Sequence, residues 1–272
     1  MLFSILVAHY NNFEYFKDFY KSVLNQTYQN FEIIIVDDCS TDDSLQKIKS
    51  LTENNKAVKI YKNEINKGVG FTKRKCVELA KGEICGFIDP DDAVVSDALE
   101  LSIQKYVDHP NIVATYSQIM LCDNLLTPQK IYSRTKRIKN GDQYFFNINN
   151  EVSHFFTFRR DFYFKTDGIN EELIASEDFD LYLKLYEKGK FEFINSPLYY
   201  YRQHSGGVSQ NKHRKKTVIE SWNKVLFDTC VRRNIHQFGN IKVSTDINLA
   251  KVLFERENTF RKKLNRYIRK KF

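Results

Sequence analysis

Four prolines and ten glycines in 272 residues argue against long disordered linkers. Five cysteines, Cys39, Cys76, Cys85, Cys122 and Cys230, form an odd set without a C-x-x-C pair. A disulfide framework or a zinc knuckle does not fit that pattern, and a reducing compartment does. No apolar stretch approaches the roughly 20 residues that span a bilayer. The run from Leu2 to Ala8 is short, lacks a basic leader and passes straight into His9-Tyr10-Asn11-Asn12, so it reads as a buried strand rather than a signal peptide. The expectation is a cytoplasmic chain, neither secreted by that route nor integral to a membrane. Internal repeats and low-complexity segments are absent as well.

What is present is an ordinary globular balance, 42% hydrophobic and 28% charged, with 22 Phe and 16 Tyr to fill a core and line a groove. The net charge of +8 is unevenly placed: residues 211–272 hold 17 Lys/Arg against 5 Asp/Glu, so residues 1–210 carry −4. A mildly acidic body over 1–210 and a basic helical extension over 211–272 are therefore expected, an asymmetry that concerns partners rather than fold.

Over the first 116 residues strand and helix patterns alternate. Short apolar runs rich in β-branched and aromatic residues lie at Ile5–Ala8, Phe31–Val36, Val58–Tyr61, Ile84–Ile88 and Ile112–Tyr116. Between them Phe16, Phe19, Tyr20, Val23 and Leu24 make one helical face, followed by Leu45 with Ile48, Cys76 with Val77 and Ala80, and Leu99 with Ile103 and Tyr106, the last helix capped by Ser96. This alternation predicts an α/β fold, a Rossmann-like, mostly parallel sheet with helices on both faces. Further on, His154–Phe158 and Leu198–Tyr201 read as strands, Glu177–Lys188 as a helix, and the chain from Lys212 onward as helical.

Ligands on such sheets bind beyond the carboxyl ends of the strands. That rule selects His9-Tyr10-Asn11, Asp37-Asp38-Cys39-Ser40-Thr41-Asp42 and Asp89-Pro90-Asp91-Asp92. Carboxylates as close as Asp89 and Asp91 repel unless something neutralises them, and hard divalent cations favour such oxygen ligands. Asp-Pro-Asp-Asp is also ordinary turn chemistry. Likewise Glu177-Asp178 suits the first turn of any helix, and Cys39, Cys76 and Cys85 read as small apolar fillers.

Taken together, these segments resemble the inverting nucleotide-sugar glycosyltransferases of family 2, with the GT-A fold. The likeness is carried in order over residues 1–210 by Ser4-Ile5-Leu6-Val7-Ala8-His9-Tyr10-Asn11, Ser22-Val23-Leu24-Asn25-Gln26-Thr27-Tyr28, Phe31 to Asp42, Asn66-Lys67-Gly68-Val69-Gly70, Ala80-Lys81-Gly82-Glu83, Phe87-Ile88-Asp89-Pro90-Asp91-Asp92, Glu177-Asp178-Phe179-Asp180 and Tyr201-Arg202-Gln203-His204. The resemblance implies a UDP-sugar donor, Mn²⁺ or Mg²⁺ as cofactor, and a glycan or lipid-linked glycan acceptor. By the same resemblance Asp38 contacts the base or ribose in a pocket framed by Ala8 and Tyr10, Asp89 approaches ribose and metal, Asp91 holds the metal with His204, and Asp178 is the general base. Where the family pattern has Arg, this chain has Lys73 followed by Arg74, and either could face the diphosphate. Partial burial near Glu177 and Phe179 is expected to raise the Asp178 pKa toward neutrality.

Two other enzyme or binding classes share this architecture. A sugar-phosphate nucleotidyltransferase wants a Gly-rich phosphate loop after the first strand, where this chain has His9-Tyr10-Asn11-Asn12. A nucleic-acid or scaffold protein on the same fold would use the basic tail, yet no nucleic-acid motif accompanies it. From Arg261 to Lys271 seven Lys/Arg and no acid are interleaved with Leu264, Tyr267 and Ile268, which fits a helix lying on an anionic membrane at the inner face of the cell membrane.

Overall fold

The run at the start of the chain folds as β1 (Phe3–His9), buried at every residue but Ala8. A parallel strand covered on both faces needs such a continuous apolar run. A computed structural model describes residues 1–204 and 215–259. After β1 come α1 (Phe13–Leu24), β2 (Phe31–Asp37), α2 (Ser44–Thr52), β3 (Val58–Lys62), α3 (Val69–Leu79), β4 (Ile84–Phe87), β5 (Ala93–Val94), α4 (Ala98–Asp108), β6 (Ile112–Cys122) and β7 (Pro128–Ile131). Then follow β8 (Thr157–Arg159), α5 (Arg160–Tyr163), α6 (Glu177–Tyr186), β9 (Lys190–Arg202), α7 (Lys215–Arg232), a hairpin of β10 (Gln237–Phe238) and β11 (Ile241–Lys242), and α8 (Leu249–Glu257).

Among the described residues nine strands form one sheet in the order β3-β2-β1-β4-β8-β6-β9-β5, with β7 beside β6. The half built from residues 3–87 is parallel throughout, as the alternation predicts. The other half is mixed: β8 runs antiparallel to β4 and β6, while β6 and β9 are parallel. Successive β1 side chains divide between two faces. Phe3, Ile5 and Val7 pack with Phe16, Phe19 and Val23 of α1, Ile48 of α2 and Leu99 of α4. Leu6 packs on the other side with Cys76 and Val77 of α3 and Leu181 and Leu185 of α6. Each such fully buried side chain contributes roughly 1.5–3 kcal/mol.

Four local expectations differ, the first being that the strand expected at His154–Phe158 covers only Thr157–Arg159. The strand expected at Leu198–Tyr201 begins at Lys190, because a register shift against β6 between Ser117 and Gln118 absorbs the proline at 197 that breaks its pattern. Asp97, not Ser96, takes the cap position of α4, and its side chain makes no capping bond. The C-terminal segment is not helical throughout: Gly239, at φ 62, and Asn240 close a two-residue hairpin between α7 and α8. Both helices pack through Val225, Leu226, Leu249 and Leu253 onto Leu173 and on Leu183 of α6, so residues of 215–259 share a core with the body. Phe260, Leu264, Tyr267 and the basic run Arg261–Lys271 lie outside the described residues.

Candidate active site

Strand order reverses between β1 and β4: β2 and β3 lie on one side of β1, and β4 on the other. The crevice beyond their carboxyl ends is the switch point where α/β sheets bind ligands. The first two loops above it are tied together. Asn11 N–H donates to Ser40 Oγ at 3.0 Å, and Thr41 N–H donates to Asn11 Oδ1 at 2.9 Å. Beneath them His9 Nδ1 lies 3.0 Å from Asp37 Oδ1, and Asn12 N–H donates to His9 Nε2 at 3.3 Å, which assigns the ring proton to Nδ1. Burial pushes the Asp37 carboxyl up, but the bonds from His9 and Ser40 outweigh it and hold the group below its ordinary value. Ala8 is half-buried beside Val36, and Tyr10 is exposed at the mouth.

Asp38 is buried at the end of β2 and braces the loop before α3. It accepts from Asn63 Nδ2, Lys67 N–H and Gly68 N–H, each at 2.8 Å. These bonds draw the loop before α3 onto the end of β2, with Gly68 at φ 87, a conformation open to glycine. Cys39, read from sequence as a filler, is instead a half-exposed loop residue at φ 60, whereas Cys76 and Cys85 are buried as expected. Burial pushes the Cys76 thiol up to about 12.

The third loop faces α6 across one ammonium. Lys73, on α3, is 3% exposed in its side chain, and its Nζ lies 2.8 Å from Asp178 Oδ1, 2.9 Å from Glu177 Oε1 and 3.4 Å from Asp89 Oδ1. Despite burial, the three carboxylates raise the Lys73 pKa well above its ordinary value. The expectation for Asp178 is corrected here. Burial does push it up, but Lys73 and then His154 outweigh burial and hold it below the ordinary carboxylate value. Glu177 is the one that is raised, because burial exceeds the pull of Lys73. Phe179 turns away to meet Trp222 of α7. Ser176, just ahead of the pair, holds a left-handed φ of 63 that costs a non-glycine residue energy and points to a constrained site. Arg74 is not brought to this cluster: its guanidinium bonds Glu78 and the carbonyls of Asp167 and Ile169.

Asp91 Oδ2 lies 2.9 Å from His204 Nε2, and the His204 ring leans on Tyr15. Burial and the neighbouring Asp89 raise the Asp91 pKa against that bond. Burial lifts Asp92 still further, with Asp91 and Asp89 adding to it. Arg202, to which the sequence assigned no role, rivets this loop. It is buried, its Nε donates to Asp91 O at 2.6 Å, its backbone N–H to Asp92 Oδ1 at 2.7 Å, and its guanidinium reaches Asn124 O and Asp18 Oδ2. Asp89 N–H donates to the hydroxyl of buried Tyr199 at 3.1 Å. Among the described residues no group of three or more His, Cys, Asp and Glu side chains is arranged to hold a metal by itself. Asp89 and Asp91 remain side by side, and Mg²⁺-type ions are commonly held by one or two carboxylates with substrate phosphates completing the shell. The donor set fits a cation of that kind.

A family model described as Glycosyl transferase family 2 matches residues 4–165. A chondroitin synthase of Escherichia coli is 29% identical over 245 residues, 87% of this chain and 34% of that protein. A hyaluronan synthase of Pasteurella multocida is 30% identical over 217 residues, 78% of this chain and 21% of that one. This chain thus spans about a third or less of the synthases it matches. A UDP-Glc:alpha-D-GlcNAc-diphosphoundecaprenol beta-1,3-glucosyltransferase of Escherichia coli is 29% identical over 215 residues, 79% of this chain and 82% of that protein. Among solved structures, S. aureus TarS 1-349 in complex with UDP-GlcNAc superposes with a TM-score of 0.73 at 21% identity, over 96% of this chain and 73% of that one. A mannosyltransferase from Pyrobaculum calidifontis in complex with GDP-Man and Mn²⁺ gives 0.58 at 14% identity, over 94% and 68%. At those identities the two structures speak to the fold alone.

Proposed function

The chain belongs to glycosyl transferase family 2, and from that membership we propose that it moves a sugar from a UDP-sugar to a hydroxyl of a glycan or lipid-linked glycan, inverting the anomeric carbon, with Asp178 as general base. The observation that carries the reading is the shared ammonium: Lys73 Nζ touches both Asp178 and Asp89, so the base and the acidic loop face one another across a single buried cation. The mixed α/β sheet is that of the GT-A structures it superposes on. Asp178 and the acidic loop thus border one crevice, which supports a single displacement there.

Asp89 and Asp91, with His204 beside Asp91, would hold a divalent cation, which supplies charge neutralisation for the diphosphate when bound. The bonds that tie the loops of Tyr10, Asn11 and Ser40 support a uridine pocket framed by Ala8 and Tyr10, with Asp38 as the contact to base or ribose. Asp178 accepts the acceptor proton as the acceptor oxygen bonds to the anomeric carbon, and the electron pair of the broken bond departs with the diphosphate. A carboxylate held low by Lys73 is a weak base. The arriving diphosphate adds negative charge beside that ammonium, which shifts Asp178 upward when a base is needed. Arg74, committed to the Asp167–Ile169 loop, takes no part, so Lys73 is the basic residue of the pair that serves the site.

Incubation with UDP-glucose, UDP-N-acetylglucosamine, UDP-N-acetylgalactosamine and UDP-glucuronic acid, with Mn²⁺ or Mg²⁺, tests this through UDP release with and without chelator. Chelator and Asp91→Ala are each expected to abolish turnover, while Asp178→Asn keeps UDP binding and loses about 10²–10⁴-fold in turnover. Chelator-resistant turnover rejects the cation, and full activity in Asp178→Asn rejects the base. The run of seven Lys/Arg at Arg261–Lys271 supports contact with an anionic membrane carrying a lipid-linked acceptor.

A further inference from the structure

Asp178 offers its two carboxylate oxygens to different neighbours. Lys73 holds Oδ1 at 2.8 Å. Oδ2 faces Nε2 of His154, 3.9 Å away, on the segment that leads into β8. That separation is too long for a hydrogen bond and matches a bite in which one oxygen atom bonds both groups. The His154 side chain is 14% exposed, and among the described residues neither of its ring nitrogens makes a hydrogen bond within the fold. Neither ring nitrogen is among the sealed, unpartnered polar atoms of the described residues, so the one aimed at the base stays reachable by a ligand atom. The ring is also held in place. It stacks on Tyr199 with centroids 4.9 Å apart and planes 19° apart, and on Tyr201 at 6.4 Å and 16°. The Tyr199 hydroxyl in turn accepts from Asp89 N–H, so the stack ties His154 to the acidic loop as well as to the base.

We propose that His154 binds the acceptor, its Nε2–H and Asp178 Oδ2 gripping the attacking hydroxyl between them. The proposal rests on reading Asp178 as the general base. The hydroxyl oxygen accepts from Nε2–H and donates to Oδ2, which leaves one of its lone pairs to point at the anomeric carbon. As the new C–O bond forms, the hydroxyl proton passes to Oδ2, the old C–O bond breaks with its electron pair going to the diphosphate, and the His154 proton stays where it is. Orientation of a hydroxyl in this way contributes through pre-set geometry rather than through charge.

Two variants separate the hydrogen bond from the stack. His154→Phe keeps the ring on Tyr199 without a donor, and His154→Gln keeps a donor without the ring. For both, urea midpoints report folding and calorimetry with UDP and Mn²⁺ reports the donor site. Initial rates are taken with the UDP-sugar the wild type hydrolyses or transfers, using p-nitrophenyl β-glycosides of glucose, N-acetylglucosamine, N-acetylgalactosamine and glucuronic acid as acceptors, and water where none is used. Expected are unchanged UDP affinity, a loss in His154→Phe on the order of tenfold to a hundredfold in acceptor kcat/KM, and partial rescue in His154→Gln. Wild-type rates in His154→Phe with intact UDP binding overturn the proposal and leave the glycosyltransferase reading standing. Weakened UDP binding in His154→Phe, or no rescue by Gln, overturns it too. A wild type that releases UDP from no donor overturns the reading of the site itself.

Discussion

Lys73 is a buried ammonium whose removal strands three carboxylates, Asp89, Glu177 and Asp178, without a cation. Breaking a buried pair from one side costs about 3–5 kcal/mol, so Lys73→Met is expected to lose roughly that much stability at pH 7 in urea unfolding. The pH dependence has a definite sign. Asp178 is held below its unfolded value, so its contribution is present above that value and fades as pH falls through the folded one. Between pH 7 and pH 4 the Asp178 contribution is retained in wild type and the raised Glu177 gains on protonation, while in Lys73→Met all three stranded carboxylates are relieved by protonation. The gap between the two is expected to narrow from pH 7 to pH 4, and a gap that stays constant contradicts the cage. At Asp178 itself, Asn is expected to lower turnover by about 10²–10⁴-fold, read from initial rates at saturating donor. The acids were legible because each follows a strand or opens a helix. Their pairing with Lys73 was not: Lys73 and Asp178 are 105 residues apart, and no local pattern encodes such a contact. For the same reason burial alone misjudged Asp178, and His154 read only as part of a strand.

Helix α3 carries Lys73, and its first turn is set by Gly70. A Cβ there would meet the backbone carbonyls of Leu173 and Asn170 at 2.6 and 2.7 Å, and backbone does not yield as a side-chain tip does. Gly70→Ala is expected to cost about 1–3 kcal/mol and to lower turnover by displacing Lys73, as measured by thermal unfolding and UDP release together. An unchanged melting temperature would show that the loop before α6 gives way freely. The elements from β1 to α4, the two-residue β5 excepted, were legible because both-faced strands and one-faced helices write different periods. The strand β9 was half hidden, since its bulge against β6 spoils the alternation that marks a strand. The C-terminal hairpin was missed because two-residue strands beside Gly239 leave too short a pattern to compete with the helices around it.

The whole chain places its positive charge at one end, +12 over residues 211–272 against −4 before it. If that excess serves a lipid-linked acceptor, truncation after Asn258 is expected to abolish sedimentation with vesicles containing phosphatidylglycerol while leaving UDP release from free donor unchanged. Equal sedimentation of full-length and truncated chains removes the membrane claim. No helix of the described residues is long and apolar enough to cross a membrane. Composition and order gave this scale directly, whereas the identity of the sugar depends on side chains around the crevice that no sequence period reports. The most direct test of the account is diffraction from crystals grown with Mn²⁺ and the UDP-sugar that supports turnover. Expected are density for the ion against Asp91, the diphosphate beside Lys73, and Asp178 on the opposite face of the sugar ring. Nucleotide density elsewhere on the sheet, or Asp89 and Asp91 turned away from an ion-free diphosphate, would contradict it.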